Sequence, residues 1–499
     1  MSKFFDLLLI SILALVVFLI GLPALQLPWS LVDDGESLRI VTKIFESFPN
    51  IFWLFSAEAE HGRLRTMYWL FQALEFQLFG FNVAAHHLFH IGLFAAAVIL
   101  LYLLIKKLTR SSLAAFFSGV FFIFFSPHFE NLYRLGPPEI WLTVLLLMIF
   151  WLLLKIHELR KNEKKKRIFL ISVTSALFFA ALLTKETAVI LVPFTLLLGA
   201  FFFWRKKIEE RNYGKVLFFQ AGIFAILFVS LRIAATVAGI IGGYTTFYDF
   251  SSKQFFLALK GYFTIISQSF GLFFWILVFS FLAEFLIYFL ILKKTPDKLY
   301  QRLVLLTWFV LFLAVQLPWF FVMGRYLTPA MIGLSGFLGI QLALLLNYFL
   351  KLWQKRLIKF WLYPPLIILV VVAIILFLIP NLAAIVNAYK RVVPSERQNS
   401  KVVEYLAKNT SFGSKIYFNV EPTDEYFYEM PLHFDFFYNR KDLKTELLTL
   451  EKETLLTSGD LVVSWTRTAK YNQGQLETFL GKRIQKRHQI SEWTIFQVI

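Results

Sequence analysis

Long apolar runs alternate with short polar segments along most of the chain. A run of about twenty apolar residues can cross a bilayer core of roughly 30 Å as a helix. Eleven runs are predicted to do so: 4–23, 83–105, 112–126, 137–155, 168–183, 187–204, 216–234, 268–292, 303–320, 326–349 and 361–380. The runs 112–126 and 168–183 are short for a complete crossing. No small-residue cleavage site follows the first run, so it is predicted to be an uncleaved first span rather than a signal peptide.

The long loop after the first span has an internal pattern of its own. In ESLRIVTKIFESF, residues 36–48, apolar side chains recur at helical spacing. In RTMYWLFQALEFQLFGFN, residues 65–82, Gln72 and Glu75 share one face of an otherwise apolar helix. Both segments are predicted to be helices that lie in the membrane interface. The stretch 251–266 is predicted to be a third.

The character of the chain changes after residue 380. Residues 1–380 are predicted to form the transmembrane domain, and the polar stretch 381–499 a small α/β domain outside the membrane. The predicted helix covers 399–409, and the predicted strands are 414–420, 459–465 and 492–499. The fold class is therefore a polytopic α-helical membrane protein with a C-terminal extracytoplasmic α/β domain.

Composition and charge support this class. The chain is 58% hydrophobic and 16% charged, whereas soluble domains carry about 25% charged residues. The net charge of +18 arises from Lys and Arg in short loops, so it does not indicate a nucleic-acid partner. The loops form two alternating sets, which carry 23 and 9 of these cations. The set that carries 23 is predicted to be cytoplasmic, together with the N-terminus. Cysteine is absent, which excludes disulfides and a thiolate nucleophile.

The motif VDDGES follows the first span and concentrates carboxylates at the predicted outer face. Asp33 suits a helix N-cap, with Glu36 closing a capping box. A carboxylate here could also deprotonate an acceptor hydroxyl, and the pair Asp33 and Asp34 could hold a divalent cation. A capping Asp33 would have its oxygens engaged with backbone N–H groups, which favours Asp34 as the carboxylate that faces a substrate.

The second outer loop, SPHFENLYRLGPPEI at residues 126–140, places imidazole, acid and base within a few residues. It contains His128, Glu130, Arg134 and Glu139. An ordinary polar loop explains this composition equally well. Glu139, however, begins a predicted span, where a charge is costly unless it is paired.

Cations also occur on the predicted outer side, which is otherwise poor in them. Lys185 and Glu186 lie between two spans, either as solvated charges of a turn or as a phosphate contact at helix ends. Arg325 lies at the outer end of a span, as an interfacial anchor or a bidentate phosphate ligand. The first loop adds His61, Arg63 and Arg65. His86 and His90 are spaced to share a metal, but no acid completes a metalloprotease-type motif.

The segments VDDGES, GRLRTMYWLFQALEFQLFGFNVAAHHLFHIGLFAAAVILLYLL and LLTKETAVILVPFTLLL, with GRYLTPA further on, resemble the GT-C glycosyltransferases. The closer resemblance is to bacterial relatives of the protein O-mannosyltransferases. This resemblance implies a polyprenyl-phosphate sugar donor and a first-loop Asp, here Asp33 or Asp34, as catalytic base or ligand of a divalent cation such as Mg²⁺ or Mn²⁺. The second acid stays open between Glu130 and Glu139.

The implied reaction is attack of an acceptor on the anomeric carbon, with polyprenyl phosphate as the leaving group. The leaving phosphate would be stabilised by cations at the outer face: Arg325, Lys185, Arg134 and Arg63. The acceptor could be a glycan, a lipid or a protein. A transporter or flippase of a lipid-linked glycan is the alternative, although neither mid-membrane charges nor inverted repeats are evident. A third hypothesis is an assembly role with 381–499 as a binding module.

Overall fold

The computed structural model describes residues 2–31, 34–46, 65–159, 163–204, 208–237, 248–291, 298–354, 363–419, 425–448, 456, 458–465, 469–480 and 482–499. These residues form a helical bundle followed by a small domain with one sheet. The helices are α1 Ser2–Gly21, α2 Asp34–Glu46, α3 Thr66–Phe79, α4 Val83–Thr109, α5 Ser112–Ile123, α6 Glu139–His157, α7 Lys164–Leu182, α8 Leu191–Phe203, α9 Ile208–Val237, α10 Ser252–Leu286, α11 Leu299–Gln316, α12 Thr328–Gln354, α13 Tyr363–Asn409, α14 Glu425–Tyr438 and α15 Gln473–Leu480. The strands are β1 Lys415–Asn419, β2 Lys444–Leu447, β3 Leu461–Trp465, β4 Ile484–Ile490 and β5 Trp493–Val498.

Fewer helices than predicted have the length and composition of a membrane span. Within the described residues nine qualify, or ten if α5 and the bent segment 126–133 count as one span. The helix α5 ends after 12 residues, and the chain then turns by 65°. The helix α7 begins with three lysines and an arginine. That leaves roughly 15 apolar residues, or about 22 Å of helix. The described residues thus contain nine or ten spans by this measure, close to the eleven predicted, and the two short runs at α5 and α7 account for the difference.

Contacts divide the loops between the two ends of the bundle. At one end Lys106 pairs with Asp6 near the N-terminus, and Lys107 lies 3.0 Å from Glu158 after α6. Lys298, just before α11, donates to the backbone at the end of α4. All of these residues except Asp6 lie in or beside loops that the sequence assigns to the cytoplasm. The charge pattern thus groups the loops as the structure does, while the assignment of this end to the cytoplasm stays a prediction.

The first loop contains the two predicted helices, α2 and α3. They pack against each other through an apolar cluster at the end opposite Lys106: Ile40, Val41, Ile44, Tyr68, Trp69 and Ala73. The third predicted interfacial segment, 251–266, is the first part of the longer helix α10. Gly271 interrupts α10 in the left-handed region, with φ of 56°, and this break separates that segment from the span that follows.

The helix α13 continues from the helical bundle into the C-terminal domain, which is called the outer domain here after its predicted position. It runs through Pro380 and Pro394 to Asn409, so the predicted boundary at residue 380 falls inside one helix. The three predicted strands are present as β1, β3 and β5. The sheet order is β2-β1-β3-β5-β4, with β1 parallel to β2 and β3, and β5 antiparallel to β3 and β4.

One residue of the first loop belongs to the core of the outer domain. Leu31 is buried in the cluster formed by the end of α13, α14 and one face of the sheet, with Val402, Val403, Met430 and Phe434 among its members. The outer domain is therefore packed directly onto the segment that carries the VDDGES motif.

Candidate active site

Asp34 is the first residue of α2 and is buried. Its Oδ2 accepts a hydrogen bond of 2.8 Å from the Ser30 N–H, which closes the turn that precedes the helix. A carboxylate at this position is also favoured by the helix dipole. Asp33 lies outside the described residues. The position of Asp34 is thus fixed by both the loop before it and the helix after it.

Glu36 has two partners within the described residues. Its side chain lies 3.4 Å from Arg39. Its backbone N–H, the donor that an N-cap Asp33 would bind, donates to Glu429 Oε2 at 3.1 Å. Glu429 belongs to α14 in the outer domain, a segment that local sequence cannot relate to this helix. The capping box predicted for Asp33 and Glu36 depends on Asp33, which lies outside the described residues, so it stays a prediction.

Two arginines approach one carboxylate of the loop 126–140. Arg325 donates through Nη1 to Glu130 Oε1, and Arg134 Nη1 lies 3.5 Å from the same oxygen. Two guanidinium groups around one carboxylate leave an excess positive charge in this part of the site. Such groups can bind phosphate oxygens in a bidentate manner. Two of the predicted phosphate ligands and one candidate acid are therefore neighbours.

The second candidate acid, Glu139, is paired as its position at the start of α6 requires. Lys185 Nζ lies 2.5 Å from Glu139 Oε1, and Glu139 is almost fully buried. Glu139 Oε2 has no hydrogen-bond partner in the described part of the chain. The Tyr326 ring lies 4.2 Å from Lys185 Nζ and 5.4 Å from the guanidinium carbon of Arg325. The Tyr326 ring therefore lies between the Lys185–Glu139 ion pair and Arg325, which binds Glu130.

A residue that the sequence analysis missed connects this cluster to the first loop. Glu396 on α13 is partly buried, lies beside Ser30, and interacts electrostatically with Arg134. Ser30 is the residue whose backbone N–H binds Asp34. The sequence assigns Glu396 to the outer domain, and the continuation of α13 past residue 380 brings it beside these loops.

Polar residues on α3 and α4 form a separate buried cluster. His86 Nδ1 lies 2.8 Å from Glu75 Oε1, and His90 Nε2 lies 3.3 Å from Glu75 Oε2. The other His86 nitrogen lies 2.9 Å from the Gly80 carbonyl. Burial opposes ionisation of Glu75, but the charges and hydrogen bonds of His90 and His86 outweigh it and lower the pKa of Glu75 to about 2. These histidines thus bind the polar face predicted on α3.

Three histidine and arginine candidates remain: His128, His61 and Arg63. His128 hydrogen-bonds to the Phe122 carbonyl at 2.8 Å and is buried among Phe side chains, so its contacts are structural. His61 and Arg63 lie outside the described residues. Among the residues that are described, no three His, Asp or Glu side chains are placed to hold a metal ion. A divalent cation at Asp33 and Asp34 stays a prediction of the sequence.

Residues 66–234 match the family model described as dolichyl-phosphate-mannose-protein mannosyltransferase. This region runs from the start of α3 into the last turn of α9. It includes Glu130, Arg134, Glu139 and Lys185. No curated protein matches the chain.

Solved structures show the same fold over nearly the whole length. ArnT from Cupriavidus metallidurans, bound to undecaprenyl phosphate, is 12% identical, with a TM-score of 0.56 over 100% of this chain and 98% of its own. The Archaeoglobus fulgidus oligosaccharyltransferase, tethered to an acceptor peptide containing the NVT sequon, is 11% identical. Its TM-score is 0.53, over 93% of this chain and 69% of its own. Both are GT-C glycosyltransferases, and this chain shares their fold, as the resemblance in the sequence implies.

Proposed function

We propose that this protein is a glycosyltransferase that moves a sugar from a polyprenyl-phosphate carrier to an acceptor at the outer face of the cytoplasmic membrane. The observation that carries the proposal is the cluster of Glu130 and Glu139 with the cations Arg134, Arg325 and Lys185 in the loops of a GT-C-like fold. Glu396 links Arg134 in this cluster to Ser30, whose backbone N–H binds Asp34. Undecaprenyl phosphate bound to ArnT supports the choice of carrier lipid. The match to a mannosyltransferase family model supports the reaction type.

The proposed reaction is a displacement at the anomeric carbon. An acceptor hydroxyl or amide attacks this carbon, the bond to the phosphate oxygen breaks, and polyprenyl phosphate leaves with the electron pair. Asp34 or Asp33 accepts the proton of the acceptor, as a positioned carboxylate can. Arg134 and Arg325 stabilise the charge that develops on the leaving phosphate. Lys185 is held by Glu139, so in this proposal it contributes its charge to the site through that pair.

The test uses the purified full-length protein with a panel of labelled polyprenyl-phosphate sugars and membrane-derived acceptors. We expect release of polyprenyl phosphate coupled to labelling of an acceptor. The variants to compare are Asp34→Asn and Asp33→Asn, with Glu36→Gln as the matched control. Glu36 is two residues from Asp34 and three from Asp33. The side chain of Glu36 is partly exposed and contacts Arg39. Loss of the base should lower kcat by about 100-fold or more, whereas the control should keep wild-type activity.

Two outcomes would contradict the proposal. Full activity in both Asp variants would remove the role assigned to the first loop. Movement of labelled lipid across a vesicle membrane without release of polyprenyl phosphate would favour a transporter.

Chelation by EDTA followed by readdition of Mg²⁺ or Mn²⁺ tests the predicted cation, because only a metal-dependent enzyme loses and regains activity.

A further inference from the structure

We propose that Glu429 of the outer domain is a positioning residue that holds the N-terminus of α2 and thereby fixes Asp34 in the site. This inference rests on the proposed function, since it concerns the carboxylate to which that function assigns the proton. It gives the outer domain a defined part in the transfer reaction. Glu429 itself is not expected to touch the substrate.

The first line of evidence is the hydrogen bond from Glu36 N–H to Glu429 Oε2, at 3.1 Å. The first turn of a helix has N–H groups without partners inside the helix, and a carboxylate there is stabilised by both the hydrogen bond and the helix dipole. Glu429 is buried, so solvent screens this interaction little. The outer domain therefore supplies the cap of the helix that begins with Asp34.

The second line of evidence is the glycine of the VDDGES motif. A Cβ on Gly35 would clash with Glu429 Oε2 and would lie 3.1 Å from Leu432 Cβ and 3.2 Å from His433 Cδ2. The helix α14 thus approaches α2 so closely that a side chain at position 35 would displace the Glu429 carboxylate. Gly35 is needed for this approach, while an alanine would otherwise suit a helix better.

The third line of evidence is the contact surface around this cap. Leu31 is buried in the outer-domain core, and Phe437 of α14 lies 6.2 Å from Trp29 and 5.8 Å from Phe81 between ring centroids. Trp29 in turn lies 5.1 Å from His86 on α4. These contacts surround the Asp34 turn on both sides. Glu429 is therefore part of a packed interface and not a flexible side chain that reaches across a gap.

Kinetics of Glu429 variants test the positioning role. Glu429→Ala removes the acceptor, and we expect kcat to fall by about 10-fold or more with an unchanged KM for the donor, because a small displacement of a catalytic group strongly lowers the rate. Glu429→Gln keeps an oxygen at the same place and should retain most of kcat. Glu404→Ala, on an exposed carboxylate that pairs only with Lys408 among the described residues, is the control.

Wild-type kcat in Glu429→Ala would overturn the inference, as would an equal loss of kcat in Glu429→Gln. If Glu429→Ala fails to fold, Glu429→Asp takes its place, since it keeps the charge but withdraws the carboxylate from the Glu36 N–H. A loss of kcat in Glu429→Asp without a change in Tm would support positioning. Unchanged kcat in that variant would contradict it.

A stability cycle tests the contact without any transferase assay, so it can succeed even if the proposed function fails. Gly35→Ala should lower Tm, although the same change at Gly92, which faces open space on α4, should not. In a Glu429→Ala background the defect of Gly35→Ala should shrink, because the clash with the carboxylate is gone. Strictly additive shifts in Tm would show that the two residues do not meet.

Discussion

Lys185 Nζ lies 2.5 Å from Glu139 Oε1 and joins the turn after α7 to the first turn of α6. Lys185 is largely buried and Glu139 almost completely so. A buried ion pair gains little over apolar residues of the same shape, but the loss of one partner leaves an unpaired charge away from water. The Lys185–Glu139 pair therefore holds the turn after α7 against the first turn of α6.

The first prediction concerns this pair. Lys185→Met should destabilise the protein by about 3–5 kcal/mol because Glu139 is left unpaired, and adding Glu139→Gln should restore much of that loss. Equilibrium unfolding in mixed micelles measures both variants. Lys155→Met provides the control, since Lys155 and Glu158 form an exposed pair, and exposed pairs contribute less than about 1 kcal/mol. Equal losses in the single and double variants would show that the two charges are not coupled.

The second prediction concerns binding of the donor phosphate. Arg325→Ala should raise the KM for the polyprenyl-phosphate donor by about 10- to 100-fold, because hydrogen bonds to charged groups contribute about 1.5–3 kcal/mol. Arg134→Ala should also raise the KM for the donor. Arg39→Ala is the control, as Arg39 contacts Glu36 on the exposed face of α2. Steady-state kinetics across donor concentration measures the effect, and an unchanged KM in both variants would remove the arginines from the phosphate site.

The third prediction concerns acid stability. The pKa of Glu75 is about 2 in the folded protein, against an ordinary value of 4.5 that applies to the unfolded chain. A lowered carboxyl pKa stabilises the folded state fully above pH 4.5, and this stabilisation is lost as the pH falls towards 2. The contribution is about 3 kcal/mol. Glu75→Gln should therefore have a lower Tm than wild type near neutral pH, and the difference should shrink below pH 4.5.

A Tm difference between wild type and Glu75→Gln that stays constant from pH 6 to pH 3 would contradict this account. Other carboxylates titrate in the same range, so only the difference between the two proteins is informative. Glu46→Gln is a matched control on the neighbouring helix α2, where the side chain is exposed.

The fourth prediction concerns the part of the bundle far from the site. Arg302 is fully buried, binds Glu284 through two nitrogens at 2.5 and 3.1 Å, and lies 2.5 Å from Gln341. These contacts join α10, α11 and α12. Arg302→Met should destabilise the protein by about 3–5 kcal/mol, since Glu284 loses its counter-ion. Tm in detergent measures this loss, and the KM for the donor should not change in the folded fraction. A raised KM would link this cluster to the site.

Several features of the site could be predicted from the sequence because they depend on local pattern. The helices α2 and α3 follow from helical spacing of apolar residues, and the need of Glu139 for a partner follows from its place at the start of a span. The charge bias grouped the loops at two ends. The length of an apolar run predicted membrane spans less reliably for α5 and α7, because a helix too short for a full span can still pack beside longer ones in a bundle.

The sequence by itself determined which segments are helices, which loops share an end of the bundle, and which residue types collect there. Only the tertiary structure decided which of them meet. Lys185 binds Glu139, Arg325 binds Glu130, and Glu36 receives its cap from Glu429. The last two residues are 393 positions apart. Hydropathy and charge act locally along the chain, whereas a hydrogen bond between distant residues exists only after packing has brought its donor and acceptor within about 3 Å.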